Sequence, residues 1–291
     1  MSAFPDKILL ATDGSEDAIR ATEAASDLAR RSGSELHVVH AWHDVPGFAH
    51  KFVKAELRRQ GQETLDEQVR KIEESGGKVA EAHLRGGRTS NEVISLGRKI
   101  GAGLLVVGSR GLGTVQRILM GSQSEEIVHH AQIPVLVMRG REAWPPQRIV
   151  IGEDFSDDAR RAGDLAASIG SLYESEATLL FAHPDLPEVP DGEIRDAAAR
   201  NLLDIRQRDE TRLETRAGEL EAILGRRPEI RVSDGYPAAV LLRAVQGEDH
   251  PSLVAVGSRG LAGMMRTRLG SVSTKVVTAS RGPVLISPHA G

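Results

Sequence analysis

Short apolar runs alternate with longer amphipathic stretches along the whole chain. In the first half the runs are Lys7–Ala11, Glu35–Ala41, Lys78–Leu84, Leu104–Val107 and Pro134–Met138. In the second they are Arg148–Ile151, Ala177–Ala182, Pro228–Val232, Ser252–Val256 and Pro283–Ile286. Brief aliphatic and β-branched runs without polar alternation predict strands buried on both faces. The stretches between them carry helical spacing. Ser15 is a good N-cap for a helix over Glu16–Arg31, with Gly33 as its stop, and Ser156 caps the equivalent Asp157–Ile169, with Gly170 as its end. Such alternation predicts an α/β fold, a doubly wound parallel sheet in each half with right-handed crossovers.

The pattern is written twice. Val107-Gly108-Ser109-Arg110-Gly111-Leu112 recurs letter for letter as Val256-Gly257-Ser258-Arg259-Gly260-Leu261. Gly121-Ser122 follows the first copy at the same spacing as Gly270-Ser271 follows the second. Upstream, Ile8–Asp13 and Ile149–Asp154 are matched apolar runs that end in aspartate. Two collinear domains follow, 1–141 and 147–291, within a length of 291 residues that suits two ordinary domains. Gly140, Pro145 and Pro146 interrupt the pattern between them, and Trp144 in this linker is expected to pack against a domain. The least repeated regions are Val45–Ser75 and Pro184–Arg227. The second holds a long charged helix over Glu193–Leu224, read first as a solvated face laced with ion pairs.

Each glycine-rich loop follows a strand and leads to a helix start at Ser122 or Ser271. That arrangement presents free backbone N–H groups and the positive end of a helix dipole to an anion. Glycines let phosphate oxygens approach the backbone, and the hydroxyls of Ser122, Ser124, Ser271 and Ser273 are further donors. In an open parallel sheet, ligands sit beyond the carboxyl ends of the strands where strand order reverses. Asp13 and Asp154 fall there. A carboxylate would repel phosphate, so ribose hydroxyls are the better partners, with capping of the following helix as the plainer reading.

Composition narrows the classes. A formal charge of −4 with 3% aromatics gives no basic stripe or stacking platform for nucleic acid. The absence of cysteine excludes thiolate chemistry and suits a reducing cytoplasm. Met1–Asp6 lacks the features of a secretory leader, and no run reaches the roughly 20 apolar residues of a membrane helix. No P-loop motif occurs, and Gly101-Ala102-Gly103 precedes a strand where a dinucleotide fingerprint follows one. His37, His40 and His43 invite a metal reading. On one strand, however, His40 faces away from the other two, so packing is the better account and no metal ligands are assigned. No catalytic triad emerges from the spacing.

The G-x₂-G-x₉-G-[ST] spacing at Gly108, Gly111, Gly121 and Ser122, and again at Gly257, Gly260, Gly270 and Ser271, resembles the universal stress protein family in its tandem form. The Asp-Gly-Ser opening at Asp13 and the closing Pro-Val strands at Pro134 and Pro283 belong to the same resemblance. It implies five-stranded sheets in the order 3-2-1-4-5 and ATP binding, compatible with Mg2+. By that likeness Asp13 holds ribose, the backbones of Ala41 and Val107 flank adenine, and Gly108, Gly111, Gly121 and Ser122 hold phosphates. The matching positions are Asp154, Ala182, Val256, Gly257, Gly260, Gly270 and Ser271, and the aligned Arg117 and Arg266 are within reach of phosphates or simply exposed. Phe155 stands where the first half has Gly14, and Glu153 where it has Thr12, so an inward carboxylate at Glu153 would repel nucleotide.

The resemblance also implies pairing of the two last strands, Val135–Met138 with Val284–Ile286, and leaves room for a homodimer. The expectation is a cytoplasmic ATP-binding stress protein whose nucleotide is a regulatory or structural ligand, with no dedicated catalytic residue, no nucleic acid and no membrane. The alternatives are a slow ATP hydrolase or nucleotidyl-transfer enzyme, and a nucleotide-free interaction module docking through the charged helix.

Overall fold

The elements are β1 (Lys7–Ala11), α1 (Glu16–Ser32), β2 (Glu35–Trp42), α2 (Lys51–Glu74), β3 (Glu81–Gly86), α3 (Thr89–Ile100), β4 (Leu104–Gly108), α4 (Ser122–His130) and β5 (Val135–Met138), followed by β6 (Arg148–Glu153), α5 (Asp157–Tyr173), β7 (Glu176–His183), α6 (Glu193–Leu224), β8 (Glu229–Asp234), α7 (Pro237–Val245), β9 (Ser252–Gly257), α8 (Ser271–Ala279) and β10 (Val284–Ser287). The structure, a computed structural model, describes residues 4–42, 51–109, 120–140, 144–183, 193–245, 252–258 and 269–289. Gly111, Gly260, Arg117, Arg266 and His43 lie outside the described residues.

The ten strands among the described residues form one sheet in the order β3-β2-β1-β4-β5-β10-β9-β6-β7-β8. Each half has the order 3-2-1-4-5, and within each half every pairing is parallel. The halves join through β5 and β10, which run antiparallel with Val137 opposite Val284, Leu136 opposite Leu285 and Val135 opposite Ile286. Each last strand covers the other's open hydrogen-bonding edge, which is the arrangement expected for two exposed apolar edges in one chain. The outer edges, β3 and β8, depart from the expectation of strands buried on both faces. β3 begins three residues and β8 one residue later than the apolar pattern suggests, and most of their residues are exposed or half-buried. Glu81, Arg85, Glu229, Arg231 and Asp234 put charge on these edges, which discourages further strand addition.

One sheet face carries α1, α2, α5 and α6 over Ile8, Leu10, Ile149 and Ile151. The other carries α3, α4, α7 and α8 over Leu9, Val39, Val107, Val150 and Val256. Both cores run across the β5–β10 seam. α1 starts as expected: the Ser15 hydroxyl accepts from the Ala18 amide at 3.3 Å, and Gly33 closes the helix in the left-handed region at φ 77°. α5 also has its expected cap, with Ser156 accepting from Ala159 at 3.2 Å. Its end is different. The helix passes through Gly170 to Tyr173, and Glu174 takes the left-handed cap at φ 54°. Gly170 is needed for packing instead, since a Cβ there would lie 2.8 Å from the Leu224 side chain of α6.

Trp144 packs against the core as expected, edge-on to Tyr173 with ring centroids 5.3 Å apart. Tyr173 binds the halves together: its hydroxyl donates to Asp27 at 2.7 Å, and Arg31 of α1 lies 4.7 Å above its ring. Burial alone would raise the Asp27 pKa, but the Tyr173 hydroxyl with Arg30 and Arg31 outweighs it and holds the carboxyl below its usual value. A carboxylate depressed on folding stabilises the native state above its unfolded pKa and loses that contribution as pH falls through the folded value. Tyr173→Phe should therefore lower stability by about 1.5 kcal/mol at neutral pH. Denaturant unfolding should show the difference shrinking in acid, and a constant difference down to the acid limit would refute this account of the contact.

Candidate functional site

The first strand ends at a construction that recurs in both halves. The Thr12 amide donates to the Val39 carbonyl at 3.0 Å, and His40 Nδ1 lies 2.9 Å from the Thr12 carbonyl oxygen. Asp13 Oδ1 then accepts from the Ser15 amide at 3.0 Å, and Asp154 Oδ1 accepts from Ser156 at the same distance. These are Asx turns that lead into α1 and α5. The helix-entry reading of the two aspartates is therefore observed. It is compatible with ligand binding, because both residues are only half-buried at the carboxyl ends of their strands.

The residue after each aspartate must be left-handed. Gly14 has φ 78° and Phe155 has φ 62°. A side chain in that region costs about 1–2 kcal/mol. Phe155 offsets the cost by stacking near Phe181, with centroids 5.0 Å apart, and by receiving Arg212 at 3.6 Å over its ring. The substitution thus preserves the turn.

The fourth strand is built identically in the two halves. The Ser109 amide donates to Met138 O at 2.9 Å, and the Gly121 amide to Ser109 O at 2.8 Å. In the second half Ser258 donates to Ser287 O and Gly270 to Ser258 O, each at 2.7 Å. The Gly121 and Gly270 amides are therefore already bonded within the protein, contrary to their expected role as phosphate donors. The same holds for two hydroxyls: Ser124 donates to Gly108 O at 2.7 Å and Ser273 to Gly257 O at 2.6 Å. What these bonds leave is the first turn of α4 and of α8. Gly121 and Gly270 are the N-caps, so neither N-cap residue offers a side-chain cap, and Ser122 and Ser271 are exposed. By contrast, α1 and α5 are capped by Ser15 and Ser156.

Gly108 and Gly257 also have a reason other than phosphate access. A Cβ on Gly108 would lie 2.7 Å from the Asp17 carbonyl carbon, and one on Gly257 would lie 2.5 Å from the Ala159 nitrogen. The strand end and the first turn of the helix touch backbone to backbone. Buried Asp17 and Asp158 fasten the contact by accepting from Ser109 Oγ at 2.5 Å and Ser258 Oγ at 2.7 Å. Spacing alone did not single out this pair, although Asp17/Asp158 and Ser109/Ser258 recur in register.

Strand order reverses between β1 and β4, where Ala11 pairs with Val107, and between β6 and β9, where Ile151 pairs with Ala255. Val107 and Val256 are buried beneath these crevices. The β1–β2 ladder ends at Ala11–Val39, so Ala41 lies beyond it, paired with Arg85 on its other side. Ala182 sits likewise beside Ser233. Asp13, Ala41, Val107, Gly108, Gly121 and Ser122 thus lie at the carboxyl-end side of the first half's sheet, and Asp154, Ala182, Val256, Gly257, Gly270 and Ser271 at that of the second.

Glu153 does not enter the second crevice. It is buried toward α6, where Arg216 Nε donates to Glu153 Oε2 at 3.2 Å, while Glu153 Oε1 accepts from the Phe155 amide at 2.7 Å. Burial pushes the Glu153 pKa above its usual value against the pull of the Phe155 amide and Arg216. Burial would lower Arg216, but Asp164, Glu219 and Glu153 outweigh it and keep the guanidinium firmly charged. The expected source of repulsion is therefore neutralised inside the protein.

The entrances differ in one respect. In the first half Arg88 pairs with Glu126 of α4 at 2.6 Å, and Gln123 Oε1 accepts from the Ser90 amide at 3.3 Å. In the second, Tyr236 occupies the place of Arg88 and Lys275 that of Glu126, with the ammonium 4.3 Å over the Tyr236 ring. A cation–π contact thus replaces an ion pair, and α8 has no acidic residue in its first turn whereas α4 has Glu125.

Among the described residues no helix is long and apolar enough to cross a membrane. Comparison with known proteins agrees with the architecture. A chain from Mycolicibacterium smegmatis called a universal stress protein is 25% identical over 98% of both chains. One from Thermus aquaticus is 36% identical, spanning 45% of this chain and 97% of its own length. The crystal structure of a universal stress protein from Archaeoglobus fulgidus superposes over the full length of both chains with a TM-score of 0.68 at 23% identity, a likeness of fold. The profile of the universal stress protein family matches residues 5–139 and again 146–288, and the chain belongs to that family as a tandem of two such units.

Proposed function

We propose that the protein binds an adenine nucleotide, ATP in the first instance, in each of the two crevices, and that the nucleotide acts as a regulatory or structural ligand. The observation that carries this reading is the repeated pairing of a strand-end aspartate with a helix start whose N-cap is glycine and offers no side-chain cap, at each point where strand order reverses. Polyphosphate suits the first-turn amides and the exposed hydroxyls of Ser122 and Ser271, since uncapped amides and the helix dipole both favour anions. Asp13 and Asp154 accept hydrogen bonds from ribose hydroxyls, and the backbones at Ala41 and Val107, and at Ala182 and Val256, border the base. Gly108 and Gly257 act indirectly by holding strand against helix. Mg2+ accompanies the phosphates without a dedicated set of ligands in this reading.

Removing a carboxylate that accepts ribose hydrogen bonds should cost about 1.5–3 kcal/mol, roughly a 10–100-fold rise in dissociation constant. Calorimetric titration of ATP into Asp13→Ala and Asp154→Ala should show one site weakened in each. Unchanged affinity at both sites in the double variant would refute the ribose assignment.

A further inference from the structure

Along its own strand His37 lacks a ready partner, since His40 faces the other way. Its partner comes from the next strand. In the β2–β3 register His37 lies opposite Glu81 and Val39 opposite His83, which puts both histidines on one sheet face. Both are more than nine-tenths buried. His37 Nδ1 and His83 Nε2 are 3.2 Å apart, with the rings inclined by 13°. Two imidazole nitrogens on one tetrahedral zinc ion, each bonded at about 2.0–2.1 Å, stand about 3.3 Å apart. A Glu81 carboxylate oxygen and one nitrogen of each ring all lie within 4.8 Å of one another, and Glu81 is exposed at the edge.

We propose that the first half carries a site for one zinc-class divalent ion between His37 Nδ1 and His83 Nε2, completed by the Glu81 carboxylate, whose Oε1 lies 3.5 Å from His83 Nδ1, and by water at the open position. Two imidazoles and a carboxylate are a borderline N/O donor set that suits such ions. His37 Nε2, the outer nitrogen of the pair, is buried and makes no hydrogen bond within the protein. Ligation through Nδ1 places the proton on Nε2, 3.5 Å from Glu35 Oε2. A carboxylate behind the outer nitrogen is the usual support of a ligating histidine.

The second half supplies an internal contrast. Thr178 lies opposite Glu229 and Leu180 opposite Arg231, so threonine and arginine occupy the places of His37 and His83. The Arg231 guanidinium lies 3.1 Å from both Glu229 oxygens. A fixed cation there takes the place assigned to the ion in the first half. The site is separate from the strand-end crevices and does not depend on the nucleotide reading.

The test is equilibrium dialysis of the chelator-stripped full chain against micromolar zinc, with bound metal counted by elemental analysis. Wild type should retain one ion per chain, and His37→Gln and His83→Arg should weaken that binding roughly 100-fold or more. Zinc should also raise the thermal midpoint of wild type and leave that of His83→Arg unchanged. Because a variant could fold poorly, nitrogen-resolved NMR of the wild-type histidines provides a second reading: zinc should shift His37 and His83 and leave His40 in place. Failure of wild type to hold zinc, retention of the ion by both variants, or shifts confined to other histidines would overturn the proposal.

Discussion

Arg216→Met should destabilise the protein by about 3–5 kcal/mol at neutral pH, because it leaves a buried carboxylate without its counter-ion. Glu153 and Arg216 are 6% and 4% exposed, and Arg216 also holds Asp164 at 2.8 Å and donates to the Arg160 carbonyl. The sign with pH follows from the raised Glu153 pKa. A carboxyl whose folded pKa lies above its unfolded value opposes folding at high pH and ceases to do so once protonated. The Arg216→Met deficit should therefore be largest at neutral and alkaline pH and shrink on acidification. The first half shows what can replace the pair: Thr12 and Gln68 stand at the matching positions, and the Gln68 Oε1 lies 3.4 Å from the Thr22 hydroxyl. The double variant Glu153→Thr/Arg216→Gln should recover most of the loss. Denaturant unfolding of the single and double variants gives the cycle, and a double variant as unstable as Arg216→Met would show that the ion pair is not what stabilises this corner.

Gly257→Ala should lower stability by about 3 kcal/mol, at the upper end of ordinary overpacking. The added methyl would meet the backbone of Asp158 and Ala159 at 2.8 and 2.5 Å, where no flexible side chain can yield. Gly218→Ala is the natural control. It lies inside α6, and the nearest atom to an added Cβ is an Arg227 guanidinium nitrogen 4.0 Å away. There alanine should stabilise by about 0.5–1 kcal/mol through helix propensity. The two substitutions should thus move the unfolding midpoint in opposite directions. If Gly257 served phosphate approach alone, Gly257→Ala would keep full stability and lose only ligand affinity.

The architecture was legible because it rests on signals within short windows. Apolar runs, the Ser15 and Ser156 caps and the repeated Val-Gly-Ser-Arg-Gly-Leu fix the alternation and the tandem, and the family resemblance supplied the strand order. Signals that depend on contacts across the sheet were not legible. Gly170 reads as a stop because glycine ends many helices, yet its cause is Leu224 on α6. The edge strands β3 and β8 were displaced because the apolar pattern marks core contact, whereas their boundaries follow the ladders with β2 and β7. At the crevices, sequence placed the aspartates and helix starts correctly. It gave Ser124, Ser273 and the Gly121 and Gly270 amides to a ligand, although the protein uses them to tie loop to strand. Glu153 and His37 share one lesson: the decisive partners, Arg216 and His83, are 63 and 46 residues away.

The central claim is that each half holds one nucleotide on the uncapped start of its fourth helix. Amide hydrogen exchange at Ser122 and Gln123, and at Ser271 and Val272, tests it most directly when combined with the saturating stoichiometry of ATP. The account predicts two equivalents of ATP per chain and slowed exchange at both helix starts. No binding at millimolar ATP, or binding that leaves exchange at these four amides unchanged, would contradict it.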